Sequence, residues 1–77
     1  MSKPQFDFSK LLGRMKEYGY TQQTMAESIG MNKGTMSQKL NNHSFFASDE
    51  IDAISVRLDI LPRNVGIYFF CKMSSSS

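Results

Sequence analysis

The chain has a single cysteine and no long hydrophobic run, and both features narrow the possible classes of protein. Its single cysteine, Cys71, cannot form an internal disulfide or supply a cysteine-ligated metal cluster. The apolar stretches are only a few residues long, whereas a membrane-spanning helix needs about 20. No apolar run follows the first residues, so we expect no secretory signal. Together these features predict a protein of a reducing compartment.

The chain is also small and carries little net charge. Its 77 residues suffice for one small domain and leave no room for an enzyme built from a cofactor-binding half and a substrate half. The net charge of +2 is divided unevenly, because residues 1–43 carry six basic and three acidic residues and residues 44–77 carry three basic and four acidic. Residues 30–48 contain two lysines, one histidine and no acid. This acid-free segment either faces nucleic acid or is a solvated surface without acids.

Turn signals divide the chain into five short helical segments. Gly19 and Gly30 each follow a helical run of apolar residues, where a left-handed backbone ends a helix at little cost. Helix-capping side chains precede the second, third and fourth segments (Thr21, Asn32 and Ser48), and Pro62 suits the first turn of the fifth. The predicted helices cover residues 8–18, 22–29 and 33–41, with two more beginning near residues 49 and 62. No strand alternation is present, so we predict an all-α fold.

We expect a single domain over residues 6–71. Residues 1–5 are predicted to be a flexible N-terminal arm. Residues 72–77, which end in four serines, are predicted to be a disordered tail.

The second and third helices have the features of a helix-turn-helix. A short turn containing a glycine joins them, and the third helix has only two apolar residues, Met36 and Leu40, so most of its surface is left exposed. Ala26 is small where the two helices must approach each other closely. The residues predicted to join this unit to the core are Met25, Ala26, Ile29, Gly30, Met31, Met36 and Leu40.

The spacing of Gln22, Ala26, Gly30 and Met36 resembles the helix-turn-helix of the phage Cro and lambda-type repressor family. The resemblance extends over about residues 6–70 and implies a compact five-helix, lambda-repressor-like DNA-binding domain. One position departs from the pattern. Such proteins often have an apolar residue three positions after the one matched by Met36, and this chain has Lys39 there.

The resemblance implies that the third helix, about residues 33–41, lies in the DNA major groove. Lys33 can donate to guanine and Gln38 can pair with adenine, each pair discriminating by about 1–3 kcal/mol. The implied base-reading residues are Lys33, Gly34, Thr35, Ser37 and Gln38. The implied phosphate-contacting residues are Thr21, Gln22, Gln23, Asn32, Lys39, Asn41, Asn42 and His43.

Simpler roles stand beside these functional ones. Thr21 is more simply interpreted as a helix cap. Gly34 is equally interpreted as a glycine tolerated in a first helical turn, and His43 as an exposed loop residue. No nucleophile–base pair, paired carboxylates, phosphate-binding loop or metal-ligand spacing is found in the sequence. We therefore expect no enzyme activity, no metal, no cofactor and no small-molecule ligand.

Aromatic residues outside the motif, together with the neighbouring Ile67, suggest a protein interface. The candidates are Phe45, Phe46, Ile67, Tyr68 and Phe70, and at least one of the two adjacent phenylalanines is expected to fold onto the core. Surplus apolar surface on so small a domain favours self-association, so we expect a homodimer. A dimer also suits two operator half-sites about one helical turn apart.

Two functions follow from the sequence. The first is a Cro-like repressor of a phage lysis/lysogeny switch that binds double-stranded operator DNA. The second is an antirepressor that uses the helix-turn-helix surface to bind a partner phage repressor and alter its DNA binding. The low net charge keeps the second function open, since a strong DNA-binding protein gains affinity by neutralising several phosphates with lysine and arginine. Either function is expected in the cytoplasm of a bacterial host, without contact with a membrane.

Overall fold

The computed structural model describes residues 6–72 and confirms the five-helix, all-α fold. The helices are α1 (Ser9–Glu17), α2 (Gln22–Ser28), α3 (Lys33–Leu40), α4 (Ser48–Arg57) and α5 (Val65–Phe69), with a 3₁₀ turn (Pro62–Asn64) before α5. Residues 1–5 and 73–77, which include the predicted arm and most of the predicted tail, lie outside the described residues. Lys72, which the sequence assigns to the tail, forms an isolated antiparallel bridge with Phe6.

Local side-chain chemistry explains where the helices begin and end. Gly19 and Gly30 have φ angles of +80° and +73° just beyond α1 and α2. At the start of α2, the Thr21 hydroxyl accepts from the Thr24 backbone N–H at 3.1 Å, and the Thr24 hydroxyl accepts from the Thr21 N–H at 2.8 Å. This reciprocal capping box satisfies two N–H groups that otherwise have no partner within the helix.

The predicted cap of α4 is wrong. The helix begins at Ser48, and the residue that caps it is Ala47, whose side chain cannot accept a hydrogen bond. The carboxylate of Glu50 instead reaches back and accepts from the Ala47 N–H at 2.8 Å. Because this half of a capping box needs only the backbone of the capping residue, a serine is not required at that position.

All five helices contribute to one hydrophobic core. Each large side chain buried in this way stabilises the fold by about 1.5–3 kcal/mol. The largest fully buried side chains are those of Leu11, Met25, Met36, Ile54, Leu58 and Phe69.

All six phenylalanines of the chain form a single aromatic cluster beside this core. The inner ring of Phe46 packs edge-on against Phe8 and Phe69, with centroids 5.6 and 5.5 Å away. The outer ring of Phe6 packs edge-on against Phe45 and Phe70, at 6.3 and 5.7 Å. The cluster therefore joins the beginning of the chain, the loop after α3 and the end of α5.

Two arginines tie the helix ends together. The Arg14 side chain of α1 donates to the Leu58 carbonyl at 2.9 Å, beyond the last turn of α4. Arg57 of α4 donates to the Ser28 carbonyl at the end of α2, at 2.7 Å. Since the last carbonyls of a helix have no partner within it, both contacts satisfy groups that need one and set the position of α4.

Candidate functional site: the helix-turn-helix face

The turn between α2 and α3 holds the two helices against each other. Met31 N–H donates to the Ala26 carbonyl at 2.7 Å, which closes the turn around Gly30. Ala26 is fully buried, as expected of a small residue at a close crossing. Of the residues predicted to join the unit to the core, Met25, Ala26, Met36 and Leu40 are buried, Ile29 and Met31 are half-buried, and Gly30 is exposed in the turn.

The exposed residues of α2 and α3 form what we call the helix-turn-helix face. Four of the five predicted base-reading residues are exposed on α3: Lys33, Gly34, Thr35 and Gln38. The fifth, Ser37, is half-buried, and its carbonyl and hydroxyl oxygens accept from the Asn41 side-chain amide at 2.8 and 3.2 Å. Lys33 also lines a shallow depression of about 410 Å³ with Thr21, Gln22 and Gln23. The structure thus brings together residues from both predicted DNA-contacting sets.

Several predicted phosphate-contacting residues have structural roles. Thr21 caps α2, and the Asn32 side chain caps α3 by accepting from the Gly34 N–H at 2.7 Å. The Asn42 side chain binds both backbone groups of Phe6, accepting from its N–H at 2.8 Å and donating to its carbonyl at 3.0 Å. Gln23 donates to Glu27 at 3.2 Å. Asn41 and His43 are exposed, and Gln22 is half-buried.

Gly34 has a local explanation. A Cβ atom at this position would lie 3.1 Å from the Asn32 Oδ1 atom, which is engaged in capping the helix. A side chain at residue 34 would therefore require the capping Asn32 side chain to shift by a few tenths of an ångström.

Lys39 does not extend to solvent as a phosphate-contacting lysine does. Its Nζ atom lies 2.7 Å from Glu50 Oε1 and donates to the Phe45 carbonyl at 3.1 Å, and the side chain is 12% exposed. Lys39 thus occupies an inward position, which explains why it stands where related patterns have an apolar residue. Partial burial raises the pKa of Glu50, but hydrogen bonds from Lys39 and the Ala47 N–H outweigh this and leave the pKa below its usual value.

This ion pair changes the electrostatics of the helix-turn-helix face. Residues 22–40 carry one acid, Glu27, and two bases, Lys33 and Lys39. Because Glu50 compensates Lys39, the exposed part of α3 retains the single cation Lys33. The face is polar and nearly neutral, whereas its sequence suggests a basic one.

The residues proposed for a protein interface divide into two groups. Phe45, Ile67 and Phe70 are 62%, 49% and 51% exposed, and Phe46 and Tyr68 are half-buried against the core. Sequence reasoning missed Phe6, which supports the exposed rings of Phe45 and Phe70. Sequence reasoning also missed Glu50 as the partner of Lys39. The available signal was Lys39 itself, a lysine at a position where related sequences have an apolar residue.

Two further observations concern the described residues only. None of the helices between residues 6 and 72 is long and apolar enough to cross a membrane. In the same part of the chain, no group of three or more histidine, cysteine, aspartate or glutamate side chains could hold a metal ion. The absence of enzyme activity and of a cofactor stays a prediction from the sequence.

Comparison with known proteins identifies a family and a similar solved structure. The model of a family described as protein of unknown function (DUF739) matches residues 4–72. The solution structure of the modulator of repression (MOR) of the temperate bacteriophage TP901-1 from Lactococcus lactis is similar, with 35% sequence identity and a TM-score of 0.74. The alignment covers 84% of this chain and 88% of that one. No curated protein matches the chain.

Proposed function

The chain belongs to the DUF739 family, and from that premise we propose that it is a modulator of a phage repressor. In this proposal it binds the repressor and changes the repressor's affinity for operator DNA. Regulation by protein contact requires no catalytic group and no cofactor.

The likeness to the bacteriophage modulator of repression supports this proposal. It extends over most of both chains and includes their sequences as well as their folds. A match over 84% of this chain is longer than one short shared motif.

The observation that carries the proposal is the Lys39–Glu50 ion pair. A DNA-binding protein gains affinity by neutralising phosphates, and each neutralised phosphate adds about −0.9 to the salt slope of binding. With Lys39 paired internally, Lys33 is the cation left on the exposed surface of α3. So little positive charge supports a protein partner better than a phosphate backbone.

A second candidate is the Cro-like repressor that binds the operator itself. The exposed positions of Lys33 and Gln38 on α3, and the depression that Lys33 shares with α2, favour this candidate. Membership of the Cro and lambda-type repressor family stays a prediction.

The two candidates differ in what the protein does to DNA when it is alone. We would titrate the purified chain into a fluorescent operator duplex, with and without the repressor encoded in the same genome, and follow the anisotropy. A modulator leaves the duplex unbound when alone and shifts the repressor's binding curve. Specific binding of the duplex by the chain alone, with an unchanged repressor curve, would show that the modulator proposal is wrong.

Variants on α3 sharpen this experiment. If the chain reads DNA, Lys33→Ala and Gln38→Ala abolish its operator preference while circular dichroism shows unchanged helicity. If the chain is a modulator, neither variant alters DNA binding by the chain alone, because there is none to lose. A Lys16→Ala variant, which removes an exposed lysine from α1, is the control for a general change in net charge.

A further inference from the structure

The exposed side of α4 is acidic and carries an unusually exposed valine. Asp49, Asp52 and Val56 are spaced by three and four residues, so they share one face of the helix. All three are exposed, and Val56 is 76% exposed. This face lies on a different helix from the α2–α3 unit and has no role in the function considered so far.

An apolar groove of about 440 Å³ runs along this face, and we call it the α4 groove. Its lining contains one carboxylate, that of Asp52, and is otherwise mostly aliphatic. Its walls are formed by Asp52, Ser55 and Val56 of α4 and by Ile60, Pro62 and Val65 of the following segment.

Ser55 is an unsatisfied polar group in the wall of this groove. The residue is 6% exposed, and its hydroxyl oxygen has no hydrogen-bond partner among the described residues. A buried hydroxyl without a partner is unfavourable, and most such groups in proteins are satisfied. Because this oxygen is itself buried, a ligand with a polar hydrogen in the groove provides the missing partner once the Ser55 side chain rotates toward it.

The negative charge on this face is not neutralised by α4. The helix contains one cation, Arg57, and its guanidinium donates to the carbonyls of Ser28 and Ala53 at 2.7 and 3.1 Å. Lys39 pairs with Glu50, and among residues 6–72 no cation forms an ion pair with Asp49 or Asp52. Carboxylates beside an aliphatic groove complement a side chain or helix that is both apolar and basic.

We propose that the α4 groove binds a basic amphipathic helix of a partner protein. An apolar side chain of that helix fills the groove against Val56, its lysine or arginine groups pair with Asp49 and Asp52, and an N–H group donates to Ser55 Oγ. The inference rests on the proposed function, because a repressor must present cations where it neutralises phosphates, and such a surface has this chemistry. The nearly neutral helix-turn-helix face is less suited to attract it.

The test combines two probes of the full chain. Isothermal titration calorimetry measures binding of the cognate repressor's DNA-binding domain, and NMR amide shifts locate a synthetic amphipathic peptide of leucine, lysine and arginine. We expect the peptide to shift the amides of Ser55 and Val56. We expect Asp49→Asn combined with Asp52→Asn to weaken repressor binding about tenfold and to reduce its salt dependence. The matched control is Glu17→Gln, which removes an exposed charge from α1.

Two single variants separate recognition from folding. Val56→Lys places a like charge in front of the basic partner, and the exposure of residue 56 lets the fold tolerate it. Ser55→Ala removes the unsatisfied hydroxyl, so it should raise the melting temperature of the free protein while it weakens binding severalfold. A residue with a purely structural role would not change stability and affinity in opposite directions.

The outcomes separate this inference from the proposed function. If the repressor binds these variants as tightly as the original chain, or the peptide shifts α3 and not α4, the groove assignment is overturned and the modulator function stands. If the peptide occupies the groove but the repressor does not bind, the modulator function fails and the groove assignment stands. A dimer that Val56→Lys dissociates would show that a second copy occupies the groove, which also overturns the proposal.

Discussion

Removing the charge of Glu50 isolates the ion pair that directs Lys39 inward. Glu50→Gln keeps an oxygen that can accept from the Ala47 N–H, so the start of α4 retains its cap. The change leaves the Lys39 side chain, which is 12% exposed, with a neutral partner in place of a carboxylate. A loss of stability larger than that of removing another first-turn carboxylate of α4 therefore reports on the charge of the pair.

The size of the effect follows from the burial of the two side chains. Exposed ion pairs contribute about 0–1 kcal/mol, whereas removing one partner of a fully buried pair costs about 3–5 kcal/mol. Glu50 is 25% exposed, so the pair lies between these limits. We expect Glu50→Gln to lower the free energy of unfolding by about 2 kcal/mol, which in a domain of this size lowers the melting temperature by about 10 °C.

A double-mutant cycle measured by urea unfolding tests this reasoning. Lys39→Met places at position 39 the apolar residue that related sequences have there. The double variant Lys39→Met with Glu50→Gln should unfold with a free energy within about 1 kcal/mol of that of the original chain. Asp49→Asn is the control, since it removes a charge from the same turn of α4 without disturbing Lys39, and we expect a loss of about 0.5 kcal/mol. Additive single-variant effects, with no coupling between positions 39 and 50, would refute the argument.

Three further predictions concern stability. Asn42 has a φ of +67° and binds both backbone groups of Phe6. Asn42→Gly tolerates this backbone conformation but loses the two hydrogen bonds, so it should lower the free energy of urea unfolding by about 1–2 kcal/mol. Asn42→Ala should cost more, because alanine is also strained at a positive φ. Phe69→Ala should cost about 3–5 kcal/mol and Phe45→Ala less than about 1 kcal/mol, because the first ring is 2% and the second 62% exposed; equal losses would contradict the buried and exposed assignments. The lowered pKa of Glu50 means that its stabilising effect is present above its ordinary value of 4.5 and is lost as pH falls through the folded-state pKa, so Glu50→Gln should flatten the acid side of a thermal unfolding profile.

Local signals predicted most of the helices because their causes are local. Gly19 and Gly30 end helices through their own backbone conformations, and Thr21 and Asn32 cap helices within three residues of themselves. The start of α4 shows the limit of such signals. Ser48 is a residue type that often caps helices, but the oxygen that accepts from the Ala47 N–H belongs to Glu50. The same Glu50 oxygen also accepts from Lys39, a residue of another helix. The position of the Glu50 carboxylate is therefore set partly by a contact that local sequence does not show.

The candidate site was less predictable than the fold. The spacing of Gln22, Ala26 and Gly30 identified the helix-turn-helix, but a residue's type does not state which way its side chain points on a short polar helix. Lys39 has the chemistry of a phosphate contact and lies in an ion pair instead. The groove along α4 could not be predicted, because half of its lining follows α4 in the chain and reaches it only after folding.

By itself, the sequence determined the all-α class, the number of helices and the identity of the helix-turn-helix pair, because each of these depends on residues within a few positions of one another. The tertiary structure decided which charges are available to a partner. Glu50 reaches Lys39 across eleven positions, Arg57 reaches Ser28 across twenty-nine and Arg14 reaches Leu58 across forty-four, so three of the cations are used inside the molecule. The chain has little net charge, and α3 presents only one of its two lysines to a partner. The other, Lys39, is compensated by an ion pair with Glu50 that forms only on folding.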